Sequence, residues 1–117
     1  MMSIRHLIMH THRTATPIYR LMLPCDWNAF KHSGVYYGTE KESQNGVIHF
    51  SPLTEIDNSA RHEFLATEAL KLLVVNPSKL DGVVSWVQAR NGVYFPQLTG
   101  FCRVHSVVQT IDYPNKR

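Results

Sequence analysis

The sequence predicts a single α+β domain, and three observations carry that prediction. Apolar runs of strand length recur from Ile18 to Ile111, several alternating with polar residues. A helix start at Ser51-Pro52 is followed by Leu53, Ile56, Ala60 and Phe64 at helical spacing. Of the 117 residues, 44% are hydrophobic and 18% charged, the composition of a packed core. A chain of this length suits one domain and buries roughly two-thirds of its unfolded surface. The globular body is read as residues 17–113, between a basic tail at 1–16 and a short tail at 114–117.

In chain order, Ile18 to Leu23 reads as the first strand, stopped by Pro24. Asp26 and Trp27 open a short helix in which Trp27 and Phe30 share a face and Gly34 is the stop. Val35 to Gly38 is a short strand, Glu40 to Asn45 a polar, charged loop, and Asn45-Gly46 a turn. Val47 to Phe50 is the next strand. Ser51 is the expected N-cap, with Pro52 at the first position of a helix running to about Phe64. Ala69 to Val75 is a strand whose Leu72-Leu73-Val74-Val75 is apolar on both faces, as a central strand requires. After a turn at Asn76-Pro77-Ser78, Val83 to Val87 is a strand and Arg90-Asn91-Gly92 a turn. Val93 to Phe95 is a short strand ended by Pro96, and Phe101 to Ile111 one long final strand. The sum is about six strands and two helices, with no repeat and no linker.

Composition excludes several classes of function. No apolar run approaches the roughly 20 residues of a membrane-spanning helix, and Leu7-Ile8-Met9 is bracketed by His6 and His10 rather than forming a secretory segment. A cytoplasmic protein without membrane partners is expected. Two cysteines, Cys25 and Cys102, make no disulfide framework and lack CxxC spacing; both read as buried apolar residues. The net charge of +3 comes from 12 Lys and Arg against 9 Asp and Glu. Removing Arg5, Arg13, Lys116 and Arg117 leaves eight against nine, so the body is slightly acidic. A nucleic-acid domain clusters positive charge on a folded face, so no nucleic-acid partner is expected. Residues 1–16 carry His, Arg and Thr without a sustained period and read as a flexible tail. No acidic residue precedes Asp26, which leaves a targeting segment as the alternative. His6, His10 and His12 have no fourth ligand, and no metal site is assigned.

Three features point to a binding site. Alternation puts Ile48 and Phe50 on one face of their strand and Val47, His49 and Ser51 on the other, so an imidazole and a hydroxyl share a space at a strand end. The plain alternatives are a hydrogen-bonded structural histidine and a helix cap. Arg20 is a charge within an apolar strand; it either lies at an edge in water or binds an anion, internal or from a ligand. Trp86 and the run Tyr94-Phe95-Pro96-Gln97 supply aromatic surface, as core or as pocket lining. No GxGxxG, P-loop, nucleophile elbow or HExxH is present. No catalytic residue is assigned.

With these residues in place, the chain resembles the bacterial domain-of-unknown-function family numbered 952. The resemblance rests on Ile18-Tyr19-Arg20, Trp27, and Asn45-Gly46-Val47-Ile48-His49-Phe50-Ser51. It continues in Leu72-Leu73-Val74-Val75, Trp86, and Phe95-Pro96-Gln97-Leu98-Thr99-Gly100. It implies a compact ADP-ribosyltransferase-like fold, a split mixed sheet whose relatives bind NAD in a cleft. It places Arg20 first in that cleft and the His49/Ser51 face second. Trp86 and Gln97 complete the ligand-binding set. The family's usual Glu after this Trp is replaced by Val87 and Gln88, and its Phe-Pro-His-Leu-Tyr-Gly reads with Gln97 and Thr99. Gln hydrogen-bonds but carries no charge. The function expected is binding of a small molecule or nucleotide-type ligand with little or no catalysis. NAD enters by resemblance alone, and no cofactor follows from the residues. The alternatives are a non-enzymatic interaction module presenting Tyr36, Tyr37 and Tyr94, and a weak ADP-ribosyl transferase or NAD glycohydrolase. In the last case Gln88, Glu55 or Glu63 substitutes for the missing group.

Overall fold

A computed structural model describes residues 16–114. Eight strands form within them: β1 (Ile18–Met22), β2 (Val35–Tyr36), β3 (Val47–His49), β4 (Leu70–Val75), β5 (Val83–Gln88), β6 (Tyr94–Thr99), β7 (Cys102–Arg103) and β8 (Val107–Tyr113). Three α-helices accompany them: α1 (Pro24–Ser33), α2 (Glu40–Asn45) and α3 (Ile56–Glu63). The strands build two three-stranded sheets, β1-β4-β8 and β3-β6-β5, and a small β2-β7 pair. The sheet is split, as expected, but it is not mixed: every strand pairing among the described residues is antiparallel. The α+β class holds. The expectations for His6, His10, His12 and the tails lie outside the described residues.

β4 is central, and its alternation serves two cores. Leu73 and Val75 join Ile18, Met22, Phe30, Ile48, Phe50 and Leu98 on one side. Leu70 and Leu72 pack with Leu21 and with Ile56 of α3 on the other. Burial on both faces is what the unbroken apolar run requires. α1 starts at Pro24, where the missing N–H costs nothing, and buries Trp27 edge-on against Phe30, ring centroids 5.5 Å apart.

Four local expectations are corrected. The segment Glu40–Asn45 is helix α2, not a loop. Ser51 is not an N-cap: its backbone bridges to Tyr19, so helical turns start only at Leu53, as a single 3-10 turn before α3. The long strand expected over 101–111 is broken, because the hydroxyl of fully buried Ser106 donates to the Arg103 carbonyl (2.7 Å) and bends the chain between β7 and β8. Pro96 does not end a strand but lies within β6.

Pro96 does end its neighbour. The Phe50 N–H donates to the Pro96 carbonyl (2.9 Å), but Pro96 has no N–H to return. Pairing of β3 with β6 therefore stops after His49. The chain crosses to the other sheet, where Ser51 exchanges two backbone hydrogen bonds with Tyr19, at 2.7 and 3.0 Å. His49 and Ser51 thus flank the point where one sheet hands the chain to the other.

Candidate functional site

A cavity of about 800 Å³ opens at that crossover. Its wall begins with Arg20 on β1. The guanidinium is largely buried, with 12% of the side chain exposed. Nη1 donates to Glu42 Oε2 (2.9 Å) and to the His49 carbonyl (2.8 Å), and Nη2 donates to the Tyr36 hydroxyl (2.8 Å). The cation also sits 5.3 Å from the centroid of the Tyr36 ring. The anion that a buried arginine demands is therefore internal, and it is Glu42.

Glu42 was not among the sequence-predicted site residues, because its segment reads as a polar loop. A signal was present: Thr39-Glu40-Lys41-Glu42 has capping-box spacing, with Gly46 as the stop. The Thr39 hydroxyl accepts from the Glu42 N–H (3.2 Å), and Glu42 Oε1 accepts from the Thr39 N–H (2.9 Å). Six residues make a marginal helix alone, and these bonds hold its first turn. Gly38 permits the approach. Its φ is +91°, and a Cβ there would lie 2.7 Å from both Cβ and Oε1 of Glu42.

Glu42 Oε2 then gathers three donors, Arg20 Nη1 (2.9 Å), the His49 N–H (2.8 Å) and His49 Nδ1 (2.9 Å). Burial alone would raise this carboxyl. The Arg20 guanidinium and the Thr39 and His49 backbone N–H groups outweigh it and hold the pKa at about 2. A permanent carboxylate accepts from Nδ1, so the proton of a neutral His49 belongs on Nδ1. Nε2 then keeps its lone pair and has no hydrogen-bond partner among the described residues. The imidazole itself is 58% exposed, and His49 is among the residues lining the cavity.

The Ser51 hydroxyl meets Ser59 of α3 at 2.7 Å, and both line the same cavity. Aromatic lining comes from Tyr19, Tyr36, Phe50, Phe64 and Phe95, and further charge from Asp26, Lys41 and Glu63. Arg20, His49 and Ser51 are thus brought together. Trp86 and Gln97 are not among the lining residues. Trp86 pairs with Pro96 and packs against the main core, whereas Gln97 sits in β6 between His49 and Ser85. Glu63 lines the cavity, but Glu55 bonds to Asn58, and Gln88 to the Gly92 carbonyl in its own hairpin. Tyr36 belongs to the site rather than to an exposed surface, while Tyr37 and Tyr94 are exposed.

Cys102 is buried, its Sγ 3.3 Å from the Ser106 hydroxyl, and burial raises its pKa. Cys25 is exposed, against expectation. Among the described residues no group of three or more His, Cys, Asp or Glu is placed to hold a metal ion, and no helix is long and apolar enough to cross a membrane.

The family model described as "Protein of unknown function (DUF952)" matches residues 22–110. Among solved structures, the crystal structure of protein CC0527 from Caulobacter crescentus superposes with a TM-score of 0.74 at 29% identity, covering 83% of this chain and 85% of that one. The solution NMR structure of CC0527 gives 0.66 at 26% identity, covering 85% and 89%. No curated protein matched the chain.

Proposed function

The chain belongs to the family described as Protein of unknown function (DUF952), and from that premise we propose that it binds a small nucleotide-type molecule in the cavity at the sheet crossover. The observation carrying this reading is that Arg20, Glu42 and His49 form one hydrogen-bonded wall, beside aromatic rings, in a space of about 800 Å³. That volume lies within the ordinary range of small-molecule sites. Arg20 is already matched by Glu42, and Asp26 and Glu63 outnumber Lys41 along the remaining wall. Phosphates therefore find little free positive charge there. The ligand is held by its ring, on Tyr19, Phe64 or Phe95, and by its sugar hydroxyls, on His49, Ser51 and Glu63.

We further propose that the fold is ADP-ribosyltransferase-like. Two antiparallel sheets parting at a cleft support that label. NAD is then the dinucleotide to test beside simpler nucleosides. Thermal denaturation with adenosine, ADP-ribose and NAD tests the reading. Ligand at about 100 times its dissociation constant adds about 2.7 kcal/mol, a rise on the order of 10 °C for this size. His49→Ala and Ser51→Ala are expected to reduce that rise. No shift with any of the three compounds would remove the reading.

A second reading, an interaction module, is favoured by the exposed Val83, Val87 and Tyr94 of the β5–β6 hairpin. A monomeric mass in solution together with a ligand-induced shift would set it aside. NAD glycohydrolase activity is the finer catalytic alternative, with Glu42 or Glu63 in place of a carboxylate after Trp86. Release of nicotinamide from NAD no faster than background counts against it.

A further inference from the structure

We propose that His49 is a general base, taking a proton through Nε2 from water or a hydroxyl bound in the cavity, and that Glu42 is the residue that positions it. The proposal rests on the cavity being a small-molecule site, as above, and adds a chemical step to it.

Three features of the geometry carry it. Glu42 Oε2 lies 2.9 Å from His49 Nδ1, so one face of the imidazole is fixed by a carboxylate. The same oxygen accepts the His49 backbone N–H (2.8 Å), and the His49 carbonyl accepts from Arg20 (2.8 Å), so the residue is clamped on both sides of its Cα. The remaining nitrogen belongs to a half-exposed ring of a residue that lines the cavity. A carboxylate that orients an imidazole and steadies the imidazolium it becomes is a general device of base catalysis.

The O–H bond of the bound water breaks, its proton goes to Nε2, and its oxygen bonds to an electrophilic carbon of the substrate. The imidazolium pairs with the Glu42 carboxylate. The leaving group departs with its bonding electrons and then takes the proton from Nε2, returning His49 to its neutral form. The substrate class is a small aromatic molecule with a hydrolysable bond at an activated carbon; p-nitrophenyl acetate, whose ring suits the aromatic lining, is the probe.

In the full chain, long-range ¹⁵N NMR is expected to show His49 protonated on Nδ1, with the tautomer shifted in Glu42→Gln. Hydrolysis of p-nitrophenyl acetate is expected to be saturable and faster than with equimolar free imidazole. It is expected to fall by about 100-fold or more in His49→Ala, the range lost with a positioned base. Both backbone clamps remain in that variant, so it reads the imidazole alone even if Glu42→Gln fails to fold. Wild-type His49 protonated on Nε2, a rate unchanged in His49→Ala, or a solvent deuterium isotope effect near unity would each overturn the proposal. Stabilisation by a nucleoside without hydrolysis overturns the base while leaving the binding reading intact; loss of both overturns both.

Discussion

Glu42 and Arg20, 22 positions apart in sequence, meet at 2.9 Å between Oε2 and Nη1, and through Glu42 the same contact holds His49. One carboxylate oxygen therefore ties β1, α2 and β3 together in the wall of the cavity. An ion pair this enclosed is costly to break from one side, since the partner is left charged and unpaired.

The folded Glu42 carboxyl titrates at about 2 against an ordinary 4.5. Its stabilisation is therefore complete above the unfolded value and is lost as pH falls through about 2. The difference corresponds to about 3 kcal/mol. Urea unfolding of wild type and Glu42→Gln at about pH 6 and about pH 2 should show the gap between them closing by that amount. A gap independent of pH would contradict the assignment.

Arg20→Met should cost about 3–5 kcal/mol, because Glu42 is left buried and unmatched. In combination with Glu42→Gln the losses should fall short of their sum by about 1–3 kcal/mol, the signature of a direct pair. Additive losses in denaturant titrations would mean that the two residues act separately.

Gly38→Ala should destabilise by about 2 kcal/mol, combining a strained φ with a Cβ pressed onto Glu42. The control is Gly92→Ala, where φ is also positive (+87°) but the nearest atom stands 3.9 Å away. Its cost should be about 1 kcal/mol. Only the Gly38 variant should move the His49 ring resonances; equal effects from both would remove Gly38 from the site.

Trp86→Ala should lower stability by about 2–3 kcal/mol through lost packing, with no change in affinity for any ligand that His49→Ala weakens. Isothermal titration of the folded variant decides this. Reduced affinity at unchanged stability would return Trp86 to the cavity wall.

How far the sequence reaches depends on the range of the interaction. The period of two along Val47–Ser51 correctly sent Ile48 and Phe50 inward, where they are 0% and 4% exposed, and His49 outward. It could do so because side-chain direction in a strand is a local property. The centrality of β4 was legible for a related reason: a strand apolar on both faces can be buried only between layers. The helix over Glu40–Asn45 escaped because it has no apolar stripe. It is held by a cap and by bonds to β1 and β3 instead. The start of α3 came out late because the backbone of Ser51 is engaged by Tyr19, a partner 32 positions away.

The sequence by itself determined that an imidazole and a hydroxyl share one face at the end of Val47–His49, and it left Arg20 either at a wet edge or bound to an anion. The tertiary structure alone decided that the anion is Glu42, that Glu42 also holds His49, and that Trp86 packs, partly buried, against the main core. The physical reason lies in Pro96 and Arg20. A proline without an N–H ends the β3–β6 pairing and sends Ser51 across to β1. The desolvation of a guanidinium then selects whichever carboxylate the assembled elements can bring to it. Neither choice is encoded within a few residues of the groups it joins.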